Sequence, residues 1–180
     1  MKPRLICFFL AAFCFLAMPS RSPAPLTYQP GEGWTYEPVA GGSGNWQRTR
    51  AKDQLQVAEE AFTAKNYSTT LRAAHRVLRV WPQSDYAPRA EYLIGRCQEI
   101  EGKDEAAFDS YQHIVEKYPK SAQYNEVLWR QYAIAGRFLD GQFFKLWNLI
   151  PLYSSMDETA KLYDKIVANG PYSEVAPHAQ

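Results

Sequence analysis

Beyond Trp46 the apolar positions recur at three- and four-residue spacing. Leu55, Ala58, Ala61 and Phe62 fall on one helical face, and Leu71, Ala74, Leu78 and Trp81 on one face of the next segment. Asn66 separates the two. Pro82 predicts the end of the second helix, because a proline has no N–H with which to continue the hydrogen-bond ladder. Ala90, Leu93, Ile94 and Cys97 begin a third stripe, interrupted by Glu101-Gly102-Lys103. Ala107, Phe108, Tyr111, Ile114, Val115 and Tyr118 form its partner, ended by Pro119. The pattern is helix, turn, helix, proline, twice over.

A repeat is also visible in the letters. Pro82-Gln-Ser-Asp-Tyr-Ala-Pro-Arg-Ala-Glu91 recurs as Pro171-Tyr-Ser-Glu-Val-Ala-Pro-His-Ala-Gln180, with five identities in ten positions. In the first copy this decapeptide links one helix pair to the next, with Pro88 suited to a first helical turn. The second copy is therefore expected to open a further unit. These units resemble tetratricopeptide repeats, in which a small residue on helix A meets another on helix B, an aromatic packs behind them and a proline closes the unit. Counting back from Pro119 puts Gly95 at the small site of helix A, Ala107 at that of helix B and Tyr111 at the aromatic site. Counting back from Pro82 puts Ala58 at the first site, with Thr70 and Ala74 in place of the usual alanine and aromatic. A third unit closes at Pro171, with Tyr163 at the aromatic site and Ser155-Met-Asp-Glu158 as a capping box for its helix B. The expected fold is an all-α, tetratricopeptide-like solenoid over residues 47–180, with repeats at about 48–82, 84–119 and 121–171 and the start of a fourth at 172–180.

The closing prolines lie 37 and then 52 residues apart, and the extra 15 residues fall between helices A and B of the third unit, around Leu139 to Ser154. This insertion holds Phe143, Phe144, Leu146, Trp147, Leu149, Ile150, Leu152 and Tyr153, with only Asp140 and Lys145 charged. Either it folds back over the array or Phe143, Phe144 and Trp147 present an interface, since large exposed apolar patches mark contacts.

The segment before the array has another character. Lys2 and Arg4 precede an apolar run from Leu5 to Met18, ended by Pro19, Ser20 and Arg21, the layout of a secretory signal over about 1–22. At 14 residues the run is short of the roughly 20 that a spanning helix needs. Leu10-Ala11-Ala12-Phe13-Cys14 is near a lipoprotein signal, with Phe13 standing where Gly, Ala or Ser is expected. Two outcomes stay open: a lipid anchor on Cys14, or cleavage near Pro23 or Pro25. Residues 23–46, rich in proline and glycine and without helical or alternating periodicity, read as a mobile, solvated linker. After the leader only Cys97 remains, which excludes an intramolecular disulfide and predicts a buried reduced thiol.

Composition narrows the function. With 46% hydrophobic and 22% charged residues, the bulk of the chain is expected to fold. Lys and Arg number 20 against 19 Asp and Glu; without Lys2, Arg4 and Arg21 the balance is 17 against 19. That argues against general nucleic-acid binding, which needs a concentrated basic footprint. His75, His113 and His178 are scattered, with no HExxH and no second cysteine to complete a metal site, and no phosphate loop or nucleophile elbow is present. No metal, cofactor or enzymatic activity is expected. Glu59/Glu60 and Glu99/Glu101 read chiefly as solvated helix faces.

Stacked helix pairs offer a concave surface lined mainly by helix A. In the frame set by the prolines its inward positions are Lys52, Leu55, Glu59 and Phe62 in the first unit and Arg89, Tyr92, Arg96 and Glu99 in the second. Basic and aromatic groups together suit an extended peptide, because arginine pairs with a carboxylate while a ring packs beside it. The alternative places Phe62 between helices and pairs Arg89 and Arg96 with neighbouring glutamates.

The linking decapeptides with Ser-Asp-Tyr-Ala-Pro and Ser-Glu-Val-Ala-Pro, the Glu116-Lys-Tyr-Pro-Lys-Ser121 stop and the exported, tethered array resemble the BamD-type lipoproteins of the outer-membrane β-barrel assembly machinery. The similarity covers about residues 48–180, three of the five repeats expected of that family, and so implies an incomplete gene product. Trp129-Arg-Gln-Tyr and Arg137-Phe-Leu-Asp-Gly-Gln-Phe-Phe-Lys-Leu-Trp147 look like a subgroup elaboration. The resemblance implies a non-enzymatic periplasmic scaffold at the outer membrane, whose partners are unfolded outer-membrane β-barrel proteins and other assembly-machinery subunits. A soluble periplasmic repeat protein coordinating envelope division or cell-wall synthesis, resembling the Tol-Pal-associated family, is the alternative.

Overall fold

In the computed structural model the described residues are 26–29, 33–36, 41, 44, 46–142, 144–146, 150–153 and 156–180. The chain divides into two units, Met1–Val39 and Ala40–Gln180. The leader 1–22, Cys14 included, lies outside the described residues.

In the first unit, strands β1 (Leu26–Gln29) and β2 (Gly33–Tyr36) pair antiparallel, with Leu26 opposite Tyr36 and Gln29 opposite Gly33. This corrects the reading of 23–46 as coil throughout. Thr27-Tyr28 and Trp34-Thr35-Tyr36 are runs of β-branched and aromatic residues, separated in sequence by Gln29-Pro30-Gly31-Glu32-Gly33, which is a hairpin signal. Counting prolines and glycines over the whole stretch hid it.

The second unit is a helical-repeat solenoid. Its helices are α1 (Ala51–Thr63), α2 (Tyr67–Val80), α3 (Ala87–Ile100), α4 (Asp104–Lys117), α5 (Tyr124–Leu139), α6 (Met156–Asn169) and the short α7 (Ala176–Ala179). Each packs on the next, so α1/α2, α3/α4 and α5/α6 form successive hairpins. Asn66 caps α2, its Oδ1 accepting the Thr69 N–H at 3.1 Å. The three helices A end alike, with a left-handed residue at Lys65 (φ 58°), Gly102 (φ 69°) or Gly141 (φ 101°). In each case the next N–H bonds five residues back, as Asn66 to Ala61, Lys103 to Gln98 and Gln142 to Arg137. The helices B end before Pro82, Pro119 and Pro171, and each proline leads into the same turn. Ser84, Ser121 and Ser173 donate their N–H groups to the carbonyls of Trp81, Tyr118 and Gly170 at 3.1, 2.9 and 3.0 Å. The repeated decapeptide thus codes one turn, and its second copy opens α7 with Ala176 buried as Ala87 is.

The counting frame places the core correctly. A Cβ on Gly95 would lie 2.5 Å from Tyr111 Cε1, so the ring occupies the space that a side chain would need, and α3 and α4 approach over that glycine. Ala58, Thr70, Ala74 and Ala107 are fully buried. In the third unit Tyr163 packs edge-on against Tyr132, ring centroids 5.7 Å apart, and the small residue near it is Gly136. Ser155, the first residue of the expected capping box, lies outside the described residues.

The array reaches further back than residue 47. Trp46 packs against the core cluster that includes Leu55, Ala58, Val77 and Leu93, with the Arg72 guanidinium 5.7 Å from its ring centroid. Buried Gln54 staples this segment to the helices: its Oε1 accepts the Arg48 N–H at 2.8 Å and its Nε2 donates to the Trp46 carbonyl at 3.0 Å. Arg76 Nη2 donates to the Gly41 carbonyl at 2.5 Å.

The insertion between α5 and α6 contains a second hairpin, β3 (Phe144–Leu146) antiparallel to β4 (Ile150–Tyr153), with Leu146 opposite Ile150 and an irregularity between Phe144 and Lys145. Phe143 and Trp147 lie outside the described residues, and Phe144 is described only as the first residue of β3. No helix among the described residues is long and apolar enough to cross a membrane.

Candidate functional site

The helices A carry the only part of the sequence-derived site where charge and aromatic groups converge among the described residues. On α3, Arg89, Tyr92, Arg96 and Glu99 are spaced three, four and three residues apart and so share one face. On α5, Glu126, Arg130 and Arg137 share another by the same rule. The array brings these faces together with Glu59 of α1.

Arg89 Nε donates to Glu59 Oε1 at 2.8 Å, tying α3 to α1, and its guanidinium lies 5.2 Å from the Tyr92 ring centroid. The Tyr92 hydroxyl donates to Glu126 Oε1 of α5 and accepts from Arg96 Nη1 at 3.3 Å. Glu99 is the hub. It accepts from the Tyr111 hydroxyl at 2.6 Å and from Arg137 Nη2 at 3.2 Å, with Arg96 Nε and Arg130 Nη1 each at 3.6 Å. Arg137 also bonds Asp104, whose Oδ2 accepts from Gln142 Nε2 at 2.5 Å. Four arginines therefore meet four carboxylates across the helices A α1, α3 and α5 and the first residue of α4.

Burial gives the carboxylates different standing. The side chains of Glu99 and Asp104 are only 10% and 6% exposed, whereas that of Glu126 is 50% exposed. Burial alone would lower the Arg96 and Arg137 pKa values. The Tyr92 hydroxyl beside Arg96 and the Asp104 carboxylate beside Arg137 outweigh it and raise both. Burial, helped by the bond to Glu99, pushes the Tyr111 phenol far above its ordinary value, which keeps it a hydroxyl donor.

Measured against the sequence-derived candidates, Glu59, Arg89, Tyr92, Arg96 and Glu99 do converge, with Arg89 paired to Glu59 and Arg96 to Glu99 as the alternative reading expects, while Tyr92 is 4% exposed, its ring packed in the core cluster and its hydroxyl reaching Glu126. Lys52 lies exposed near the start of α1. Leu55 does not belong to the face: it is 7% exposed and packs in the core against α2, because the α1 stripe is turned toward its hairpin partner. Phe62 is half-buried, packs against the same cluster and meets Tyr67 edge-on at 5.9 Å. The reading of Glu99 as a solvated helix position is corrected, since four donors enclose it. Sequence reasoning missed Asp104, Glu126, Arg130 and Arg137. The last three carried a usable signal, a shared helical face on the segment that the closing prolines mark as helix A.

Cys97 is a buried free thiol, its pKa pushed up to about 11 by burial. Among the described residues no group of three or more His, Cys, Asp or Glu side chains could hold a metal ion. No protein-family model matches the chain, and no curated protein matches it significantly.

Proposed function

We propose that this chain is a non-enzymatic periplasmic scaffold of the outer-membrane β-barrel assembly machinery, of the BamD type. It receives extended segments of unfolded barrel proteins on the helix-A face and holds partner subunits on other surfaces of the array. The observation that carries this reading is the convergence of Arg89, Tyr92, Arg96 and Arg130 on one face of a helical-repeat array. Guanidinium groups take carboxylates in a fixed fork, and stacked helix pairs supply a surface long enough for an extended chain. The basic-then-apolar leader and the two Ser-acid-x-Ala-Pro linkers support export and the BamD-type assignment. Membrane attachment through Cys14 belongs to the same proposal, and the mass of the mature N-terminus reports it.

The test is binding of a peptide copying the C-terminal segment of an outer-membrane β-barrel protein to the chain, followed by fluorescence anisotropy, with a scrambled peptide as control. Saturable binding of the native order, weakened by Arg96→Ala, is expected. Equal binding of the scrambled peptide, or capture of a cell-wall synthase in its place, would overturn the assignment.

A further inference from the structure

Glu126 is the most exposed carboxylate of the helix-A network. Its Oε1 accepts from the Tyr92 hydroxyl and lies 3.7 Å from Arg130 Nη2, while Arg96 Nη1 donates to the same Tyr92 oxygen at 3.3 Å. The Tyr92 phenol, itself bonded by Arg96, and the Arg130 guanidinium thus build one position suited to a carboxylate, and the chain's own carboxylate sits in it. We infer that Glu126 is a tethered stand-in for a ligand carboxylate, displaced from Tyr92 and Arg130 when an acidic extended peptide binds, and that it sets the affinity of the face.

Exposure separates this role from that of the other acids. Glu99 is enclosed by Tyr111, Arg96, Arg130 and Arg137, and Asp104 by Arg137 and Gln142, so neither can leave without stranding buried partners. Glu126 is half in solvent, where water solvates the released carboxylate and the ion pair is weak. Glu99 remains behind as a counter-charge that holds Arg96 and Arg130 in place, so the site keeps its shape when Glu126 swings out. The incoming group can be an acidic side chain or a terminal α-carboxylate, since both present the same two oxygens to Tyr92 and Arg130.

This inference rests on the helix-A face being the peptide site, and the experiment separates the two claims. Three short labelled peptides of alternating apolar and polar residues are titrated into the wild-type chain, Glu126→Gln and Glu116→Gln. One has no acidic side chain and a free C-terminus, one is the same peptide amidated, and one is amidated with a single internal glutamate. Glu116 is an exposed acid on α4 outside the network, so its variant controls for net charge. The expected result is roughly two- to fivefold tighter binding of a carboxylate-bearing peptide by Glu126→Gln, the size set by removing an exposed competing ion pair. The amidated neutral peptide should be unaffected, and Glu116→Gln should match wild type. Whichever carboxylate peptide shows the gain identifies the source. Equal affinities for wild type and Glu126→Gln, or an equal gain with Glu116→Gln, overturn the inference and leave the peptide site standing. A gain with these peptides but no binding of the barrel segment retains the stand-in and overturns the barrel assignment. Absence of binding by every variant overturns both.

Discussion

Gly95 shows how one missing side chain sets a helix spacing. With Tyr111 Cε1 and Cδ1 at 2.5 and 2.9 Å from where a Cβ would stand, alanine cannot be added unless the ring moves. That ring is anchored, because its hydroxyl bonds Glu99 at 2.6 Å and it is fully buried. Gly95→Ala should therefore destabilise the chain by about 1–3 kcal/mol, the usual cost of overpacking a filled core. Urea denaturation reads it, and an unchanged midpoint would mean that α3 and α4 are free to separate. Glu91, 8% exposed on α3, makes the opposite case of a group that pays for its charge. Burial pushes its pKa above the ordinary value, against the pull of His113, 3.6 Å away, and of His75 and Lys117. A carboxyl with a folded pKa above its unfolded one favours the fold while protonated, and that contribution is lost as pH rises through the folded pKa. Glu91→Gln stays neutral, so it should melt higher than wild type at neutral pH, with the gain fading as pH falls through the raised folded pKa and gone below the ordinary glutamate value of about 4.3. A difference that does not change with pH would refute the burial argument.

At the scale of helices and hairpins, the part of the site that the sequence revealed is the part whose frame a proline supplies. Pro82 and Pro119 bracket α3, so its inward residues follow by counting, and Arg89, Tyr92, Arg96 and Glu99 meet as that count implies. Arg130 and Arg137 were hidden because the segment around them reads as a local elaboration when apolar density is followed instead of the repeat frame. Asp104 was hidden for another reason: the first residue of α4 joins the network only through the return of the chain, which no spacing along one helix displays. Both hairpins escaped because proline content in one case and apolar content in the other outweigh a short alternation. The same scale carries a contrast between two acids. Glu99→Gln removes the charge that three guanidinium groups share, and because those arginines are partly solvated the cost should be about 1–3 kcal/mol rather than that of a fully buried pair. Glu126→Gln, half exposed, should cost less than about 1 kcal/mol. Equal losses in urea would mean that the network has no hub.

For the whole array, stability should be graded along the chain. A solenoid is held by each hairpin and by its contact with the next, so its parts open with separate free energies. The cluster shared by α1, α2 and α3 is built largely from small residues, Ala58, Ala73, Ala74 and Ala90, beside Leu55, Val77, Leu93 and Ile94. The cluster shared by α3 to α6 contains Tyr92, Phe108, Tyr111, Ile114, Leu128, Ile134, Phe138 and Ile166. Apolar burial contributes roughly 25 cal/mol per Å² removed from water, and aromatic and branched side chains remove far more area than alanine. The first hairpin offsets part of this deficit with the buried Gln54 staple and with Trp46, which packs on the cluster under Arg72. Hydrogen exchange followed by mass spectrometry should therefore show amides of α1 and α2 opening well before those of α4 and α5. Trp46→Ala should widen that gap, since it removes the largest apolar group covering the first cluster from its outer side. Uniform protection along the six long helices, unchanged by Trp46→Ala, would instead mean that the array unfolds as one cooperative block whose stability does not follow the size of the side chains that each hairpin buries.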